Sequence, residues 1–326
     1  MTPTGGCDYR PNPGMRFGLV LPSIGPGTGP DALEAAASAC EEHDWTSVWV
    51  TDHVLVPHGP EEAEYGLLLE AICALTWVAA RFGGLTVGTS VLVPALRDAP
   101  LLAKQLATLD ILTGGRLIVG VGASDPHDDV EYANLGKSDR FSRRGAYLDE
   151  AIALWRHLWS GRTDPFRGEF HQLVDFCFQP LPPQGAGIPI WCGGRSQRAV
   201  RRAAELADGY HAAQTGPEHL RVRLPQLTEA VARAGRPLPS LSVRARVRFD
   251  AGPGAVYAIC GSHEAMTREL LEFASLGVGD LVLVLPSSDP AEVVALARRF
   301  ASEVVQPYRQ QVAGFCAVSA GGAAPR

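Results

Sequence analysis

The chain has 326 residues, of which 46% are hydrophobic and 20% charged, with a formal net charge of −6 at pH 7. Its 35 Gly and 25 Pro are scattered among apolar runs, which excludes a collagen-like repeat and low-complexity disorder. The acidic balance argues against a nucleic-acid partner, because such proteins need a basic face. No apolar run approaches the roughly 18 residues of a membrane-spanning helix, so we expect no membrane partner.

The cysteines and the N-terminal residues predict a cytoplasmic protein. The 7 Cys residues include no C-x-x-C pair, which is typical of reduced thiols and gives no reason to expect a metal site. The N-terminus lacks a basic region followed by an apolar stretch, so no signal peptide is predicted. We expect a flexible leader over residues 1–14, a single domain over 15–308 and a loose tail over 309–326.

The first half of the domain alternates short apolar runs with helical spacing. Short runs of this kind are typical of strands buried on both faces, and Gly114–Gly115 has the form of a helix stop. The predicted elements are, in chain order, strand 16–21, a helix from Asp31, strand 47–50, helix 67–80, strand 85–93, a helix from Pro100 to Gly114, and strand 117–121.

The second half continues the alternation after two interruptions. A polar stretch, 124–144, delays the next helix, and a segment rich in Phe and Pro, 164–187, predicts a small hairpin. The other predicted elements are a helix face from Leu148 to Trp159, strand 188–192, helix 195–206, strand 209–213, helix 217–234, strand 241–249, helix 264–276, strand 281–285 and a helix from Pro290.

Eight apolar strands that alternate with helices predict an α/β chain folded as a (β/α)8 TIM barrel, with insertions after strand four and before strand five. The alternative is a doubly wound open sheet, which usually carries a glycine fingerprint after its first strand. Here the corresponding loop has Pro26 and Pro30 where that fingerprint needs amide donors, so we favour the barrel. Its active site then lies at the carboxyl ends of the strands.

Polar residues at these strand ends are the candidates for chemistry. Asp52 and His53 end strand two, where a histidine beside a carboxylate can move a proton near neutral pH or simply cap the strand. Ser90 interrupts the apolar strand three, which is costly unless a ligand or a bulge uses it. Strand four ends in a G-x-G pair followed by Ser124 and Asp125, with Asp125 expected at the rim.

Strand five passes directly into a helix through Cys192-Gly193-Gly194-Arg195-Ser196. Glycines at a helix N-terminus expose amides that favour an anion, so this turn predicts a phosphate site with Arg195 and Ser196 as added donors. Strand seven carries arginines at 244, 246 and 248, at a spacing that directs them to one face. Arg248, expected nearest the mouth, is the candidate among them for binding an anionic ligand.

Four segments together resemble the bacterial-luciferase-like flavin and deazaflavin oxidoreductases. They are MRFGLVLP, SVWVTDHVLVP, LTVGTSVLVPALRDAPLLAKQLATLDILTGGRLIVGVGAS and IPIWCGGRSQRAVRRAAELADGYH. The resemblance implies the same barrel, a small-molecule substrate, a homodimer and, for a flavin enzyme, a partner that reduces the cofactor. A barrel that only binds a cofactor or a partner is the non-enzymatic alternative.

The resemblance also implies roles for individual residues. His53 and Asp125 would be catalytic, and Ser90–Val91 would be the strand-three bulge that backs the tricyclic ring, a cis non-prolyl peptide in many deazaflavin members. With Arg195 and Ser196 added from the predicted phosphate turn, the cofactor-binding residues that the resemblance implies are Asp52, His53, Ser90, Val91, Ala123, Ser124, Cys192, Gly193, Gly194, Arg195 and Ser196.

Two further inferences concern cofactor and substrate. The Asp-His pair and the TSVL-type strand resemble the coenzyme F420 branch, which implies an F420-dependent oxidoreductase that transfers a hydride to or from a small organic substrate. The alternative is an FMN-dependent monooxygenase that uses reduced flavin and O2. Sugar-phosphate dehydrogenases of this family have Trp four residues after the His, whereas Pro57 stands here, and this counts against a glucose-phosphate substrate.

Overall fold

A computed structural model describes residues 9–59, 62, 65–249 and 256–321, with side chains up to residue 314. Parallel strands form a closed eight-stranded barrel in the order β1-β2-β3-β4-β7-β8-β9-β11, and β9 pairs with both β8 and β11 to close it. The strands are β1 Arg16–Val20, β2 Ser47–Val50, β3 Thr86–Thr89, β4 Leu117–Val121, β5 Phe166–Arg167, β6 Gln172–Leu173, β7 Ile190–Gly193, β8 Gly209–Ala213, β9 Ser240–Phe249, β10 Ala258–Gly261 and β11 Asp280–Val284.

Helices cover the outside of the barrel, and the predicted TIM barrel is confirmed. Short helices α4 and α5 occupy the insertion after β4, and the antiparallel pair β5–β6 lies before β7. The helices are α1 Pro30–Glu42, α2 Ala71–Ala79, α3 Ala99–Thr113, α4 Asp129–Asn134, α5 Ser138–Phe141, α6 Arg144–Trp159, α7 Gln197–Leu206, α8 Pro217–Ala234, α9 His263–Ser275, α10 Pro290–Phe300 and α11 Gln306–Gly321.

Two stacked tryptophans fill the barrel interior. The rings of Trp49 and Trp191 are 5.3 Å apart and form, with Val282, a cluster separate from the main core between strands and helices. Glycines on neighbouring strands make the room: a Cβ on Gly88 would be 2.3 Å from the Trp49 ring, and one on Gly209 would be 2.2 Å from Trp191. The side chains above these rings form the floor of the barrel mouth.

Several element boundaries differ from the predictions for local reasons. Helix α2 begins at Ala71 rather than 67, because the Glu70 carboxylate caps it and accepts from the amide of Cys73 at 2.8 Å. Strand β3 ends at Thr89, after which Leu92 makes an isolated bridge with Val121. Strand β10, which pairs with the end of β9, was not predicted. Helix α3 ends before Gly114, at φ 65°, as predicted.

Parts of the expected leader and tail lie within the described residues, where they contact the barrel or continue a helix. The Tyr9 hydroxyl donates to the Pro239 carbonyl at 2.7 Å, and the amide of Asn12 donates to the Ala274 carbonyl at 2.8 Å, so residues 9–14 pack on the barrel. The predicted tail is helical as far as Gly321, because α11 continues from the preceding turn. Residues 1–8 and 322–326 lie outside the described part. No described helix has the length and apolar character to cross a membrane.

Candidate active site

The carboxyl ends of the strands enclose a cavity of about 360 Å³. Its size falls within the range of about 300–1,000 Å³ typical of ligand and cofactor sites, and its position is that of TIM-barrel active sites. The predicted site residues in its lining are Asp52, His53, Ser90, Val91, Ala123, Ser124, Asp125, Gly193, Gly194 and Arg195. Cys192 and Ser196 are not among the lining residues.

His53 is held in place by Glu131, a residue that we did not predict. The Nδ1 atom of His53 lies 3.0 Å from Oε2 of Glu131, and Oε1 accepts from the amides of Val54 and Leu55 at 2.5 and 2.9 Å. The Glu131 side chain is 1% exposed and that of His53 is 20% exposed. Helix α4 therefore anchors the loop after β2 and leaves Nε2 as the ring nitrogen that can act on a ligand.

Two opposing effects set the proton affinity of His53. Burial lowers the pKa of the imidazole, but the hydrogen bond and charge of Glu131 outweigh it, with Asp128 and Asp52 adding in the same sense, so that the pKa lies above its ordinary value. Burial raises the pKa of the Glu131 carboxyl, but His53 and the two loop amides lower it by more. The pKa of Glu131 therefore lies below its ordinary value. The pair therefore favours an imidazolium next to a carboxylate.

Asp52, which we expected beside the cofactor ring, is engaged by the protein. Its Oδ2 accepts from the Val93 amide at 3.0 Å and from Nε of Arg97 at 3.1 Å, and its Oδ1 accepts from Nη2 of Arg97 at 2.5 Å. On its other side Arg97 pairs with Glu70 at 2.7 Å. The Asp52 carboxylate thus fixes the chain that follows β3, and through it the position of Val91.

Val91 forms one wall of the cavity and rests on two glycines. The Ser90–Val91 peptide is cis, as the resemblance implied. A Cβ on Gly122 would be 2.6 Å from the Val91 side chain, and one on Gly193 would be 2.7 Å from it. The glycines at the ends of β4 and β7 therefore leave the space that the Val91 side chain occupies, and Val91 packs directly against the backbone of both strands.

His211 and Ser90 form the floor of the cavity. His211 is fully buried, its Nε2 lies 2.8 Å from the Ser90 hydroxyl, and its Nδ1 lies 2.9 Å from the Ser242 hydroxyl. Its ring stacks on Trp49 at 5.5 Å with an 11° tilt. Burial, aided by the charge of Arg244, lowers the pKa of His211 to about 3. The ring is therefore neutral and orients the Ser90 hydroxyl.

Some residues of the turn after β7 line the cavity, and others stabilise the fold around it. Gly193, Gly194 and Arg195 line the cavity, and Gly194 has φ 124°. The Cys192 thiol is fully buried outside the cavity, and burial raises its pKa to about 12. The Ser196 hydroxyl accepts from the Ala199 amide at 3.2 Å and so caps α7. The side chains of Cys192 and Ser196 thus serve the fold on either side of the three residues that line the cavity.

The remaining candidates lie at the rim. Asp125 is exposed, and its amide donates to the Asp128 carboxylate at 2.7 Å. Arg244 and Arg246 line the cavity, whereas Arg248, the one we considered, is not in the lining. Nη1 of Arg244 donates to the carbonyl of Ser90, so Arg244 rather than Arg248 reaches the residues that form the cavity floor.

Fold and site together define a TIM-barrel protein with a ligand-sized cavity, a His-Glu pair whose carboxylate is buried, and no cluster of metal-ligating side chains within the described residues. The model of the luciferase-like monooxygenase family matches residues 15–276, and the chain belongs to that family.

The chain is also similar to individual proteins of this family and of related fold. The chain is 30% identical to an F420-dependent glucose-6-phosphate dehydrogenase of Nocardia farcinica over 69% of this chain and 67% of that protein. A dehydrogenase of the same name from Kineococcus radiotolerans is 28% identical over 83% of this chain and 84% of that protein. The fold is similar to that of an F420-dependent secondary alcohol dehydrogenase, with a TM-score of 0.74, 19% identity, and coverage of 89% of this chain and 98% of that one.

Proposed function

We propose that this protein is an F420-dependent oxidoreductase that transfers a hydride between the deazaflavin and a small organic substrate. The observation that carries the proposal is the placement of His53, held by Glu131, on a cavity backed by the Ser90–Val91 bulge. The F420-dependent relatives support this cofactor over FMN.

The residues of the cavity fit such a cofactor. Val91 and the floor formed by Ser90 and His211 offer a surface for one face of a flat ring. The turn Gly193–Arg195 lies at the start of α7, a ten-residue helix, so its amides and the helix dipole favour a phosphate there. When bound, the deazaflavin supplies a hydride-carrying ring that reacts poorly with oxygen.

His53 is the proposed proton donor and acceptor. Its Nδ1 is committed to Glu131, so the proton that accompanies hydride transfer is held at Nε2, on the cavity side. The raised pKa keeps this proton available near neutral pH. Asp125 is the second proposed acid, because its exposed carboxylate stands in the cavity lining.

A titration with the two cofactors tests the proposal. Purified protein is titrated with F420 and, separately, with FMN, and binding is followed by fluorescence. We expect tighter binding of F420, and in His53→Ala a loss of turnover that is much larger than the loss of F420 affinity. Tighter binding of FMN, with oxygen consumption on addition of reduced FMN, favours the monooxygenase instead. A wild-type protein that binds F420 but turns over no substrate favours a cofactor-binding role.

Three further properties belong to the same proposal. We propose a homodimer, in keeping with the family resemblance, and a location in the cytoplasm, in keeping with the 7 Cys residues that lack C-x-x-C spacing. A separate enzyme that reduces the cofactor is the proposed protein partner. Sedimentation of the purified protein tests the dimer.

A further inference from the structure

A second cavity of about 310 Å³ lies beside the first, between the carboxyl ends of β1 and β11. Thr51, Tyr65, Arg244 and Arg246 line both cavities and form the boundary between them. The Tyr65 ring also packs on His53, with ring centroids 4.7 Å apart. A ligand in the second cavity whose end reaches the boundary therefore enters the first cavity, which His53 lines.

The wall of the second cavity is mostly apolar. Away from the boundary, the described lining residues with polar side chains are Ser287 and Ser288. The Ser287 hydroxyl donates to the Glu292 carboxylate at 2.6 Å, and the Ser288 hydroxyl accepts from the Gly27 amide at 3.1 Å, so both already bond to the protein. The apolar wall includes Leu21, Pro22, Ile24, Val284, Leu285 and Pro286.

Such a wall does not suit a sugar phosphate. Each buried sugar hydroxyl needs a hydrogen-bond partner, and an unpaired one weakens binding. The polar side chains of the described wall lie mainly at the boundary, where the guanidinium groups of Arg244 and Arg246, which also bond within the protein, can donate further hydrogen bonds to a ligand oxygen. The cavity therefore matches an apolar body with a single polar end.

We propose that the second cavity holds the substrate, and that the substrate is an apolar ketone of about two rings whose oxygen faces the boundary. A cavity of about 150 Å³ holds one benzene ring, which sets the size. The inference rests on the proposed function. In the reduction, the carbonyl carbon takes a hydride from reduced F420, the C=O π bond breaks, and the oxygen takes the His53 proton. The products are an alcohol and oxidised F420, and solvent takes the remaining cofactor proton and reprotonates His53.

The test measures binding of decalone, a bicyclic ketone, and of glucose 6-phosphate by calorimetry, with and without F420. Two variants fill the cavity from opposite walls, Ile24→Trp and Val284→Phe, and Leu67→Trp is the matched control because Leu67 is 58% exposed. We expect decalone but not glucose 6-phosphate to bind. Each filled variant should weaken decalone binding about tenfold or more, whereas the control and the F420 affinity should stay unchanged.

The possible failures are distinguishable. Absence of decalone binding, decalone binding that is as tight in both filled variants as in the wild type, or glucose 6-phosphate binding that the filled variants abolish would overturn the assigned substrate class. In each of these cases intact F420 binding leaves the proposed function standing. Decalone binding in a protein that does not bind F420 supports the ligand class of the cavity but contradicts the oxidoreductase.

Discussion

Glu131 reaches His53 across 78 positions of the chain and meets its Nδ1 at 3.0 Å. The same carboxylate accepts hydrogen bonds from two backbone amides of the loop that carries the histidine. One buried charge thus sets both the orientation and the proton affinity of the imidazole. The insertion after β4 therefore contributes a residue that positions His53, in addition to lying beside the cavity.

Replacing Glu131 with Gln should lower the pKa of His53. The substitution removes the negative charge, and burial, which lowers the pKa of the imidazole, then dominates. We expect a fall of about one pKa unit or more, equivalent to about 1.4 kcal/mol per unit. NMR titration of the histidine ring measures the pKa. Because the reduction needs protonated His53, its rate should begin to fall with rising pH at a correspondingly lower pH in the variant. Asp139→Asn, an exposed change in α5, is the control, and equal pKa values in the two variants would contradict the assignment.

His211 should make the stability of the protein depend on pH. Its pKa is about 3 in the folded chain and about 6.5 when unfolded, so only the unfolded state gains its proton between these values. Stability from this residue is present above pH 6.5 and falls by up to about 1.4 kcal/mol per pH unit as the pH drops towards 3. Chemical denaturation from pH 7 to 4.5 should show a weaker dependence in His211→Gln. An unchanged slope would show that the ring is accessible to protons.

Gly193→Ala should weaken F420 binding without unfolding the barrel. The new Cβ would lie 2.7 Å from the Val91 side chain, so the bulge must shift. Overpacking of this kind costs about 1–3 kcal/mol. We expect about a tenfold or greater loss of affinity in a fluorescence titration. Gly187→Ala is the matched control, because no atom lies within 4 Å of a Cβ there. A similar loss of F420 affinity in both variants would contradict the role of Val91 in cofactor binding.

Asp52→Asn should destabilise the protein more than Glu70→Gln. Both carboxylates pair with Arg97, but the Asp52 side chain is buried, whereas that of Glu70 is 37% exposed. Loss of the buried charge leaves the guanidinium partly unpaired, at a cost of about 2 kcal/mol. Urea unfolding measures the difference. Equal losses in the two variants would argue that Asp52 acts on the cofactor rather than on the chain after β3.

The barrel followed from the sequence because its strands are continuous apolar runs and its helices have clear stops. Asp52, His53 and Ser90 could be placed at the mouth because parallel strands of a barrel end on one side. The partners of those residues could not. Glu131 lies in a polar stretch with several other acids, and nothing in the local spacing distinguishes it from a solvated face.

Alternation along the strands was an unused signal. In β8 and β9, His211 has the same period-two phase as Gly209, and Arg244 has the same phase as Ser242. Following that phase inward would have placed both side chains in the barrel. The sequence motif grouped Cys192 and Ser196 with the cofactor-binding residues, but their side chains do not line the cavity. Cys192 is buried in a strand and Ser196 caps a helix, and this local geometry decides which atoms of the turn face a ligand.

The most direct test of the central claim is the crystal structure of the protein soaked with F420. The account predicts the deazaflavin ring against Val91 with the His53 imidazole facing it. The phosphate should lie within hydrogen-bonding distance of the amides of Gly194 and Arg195. Electron density for the cofactor elsewhere on the protein, or those amides bonded to the protein itself with the phosphate in solvent, would contradict it.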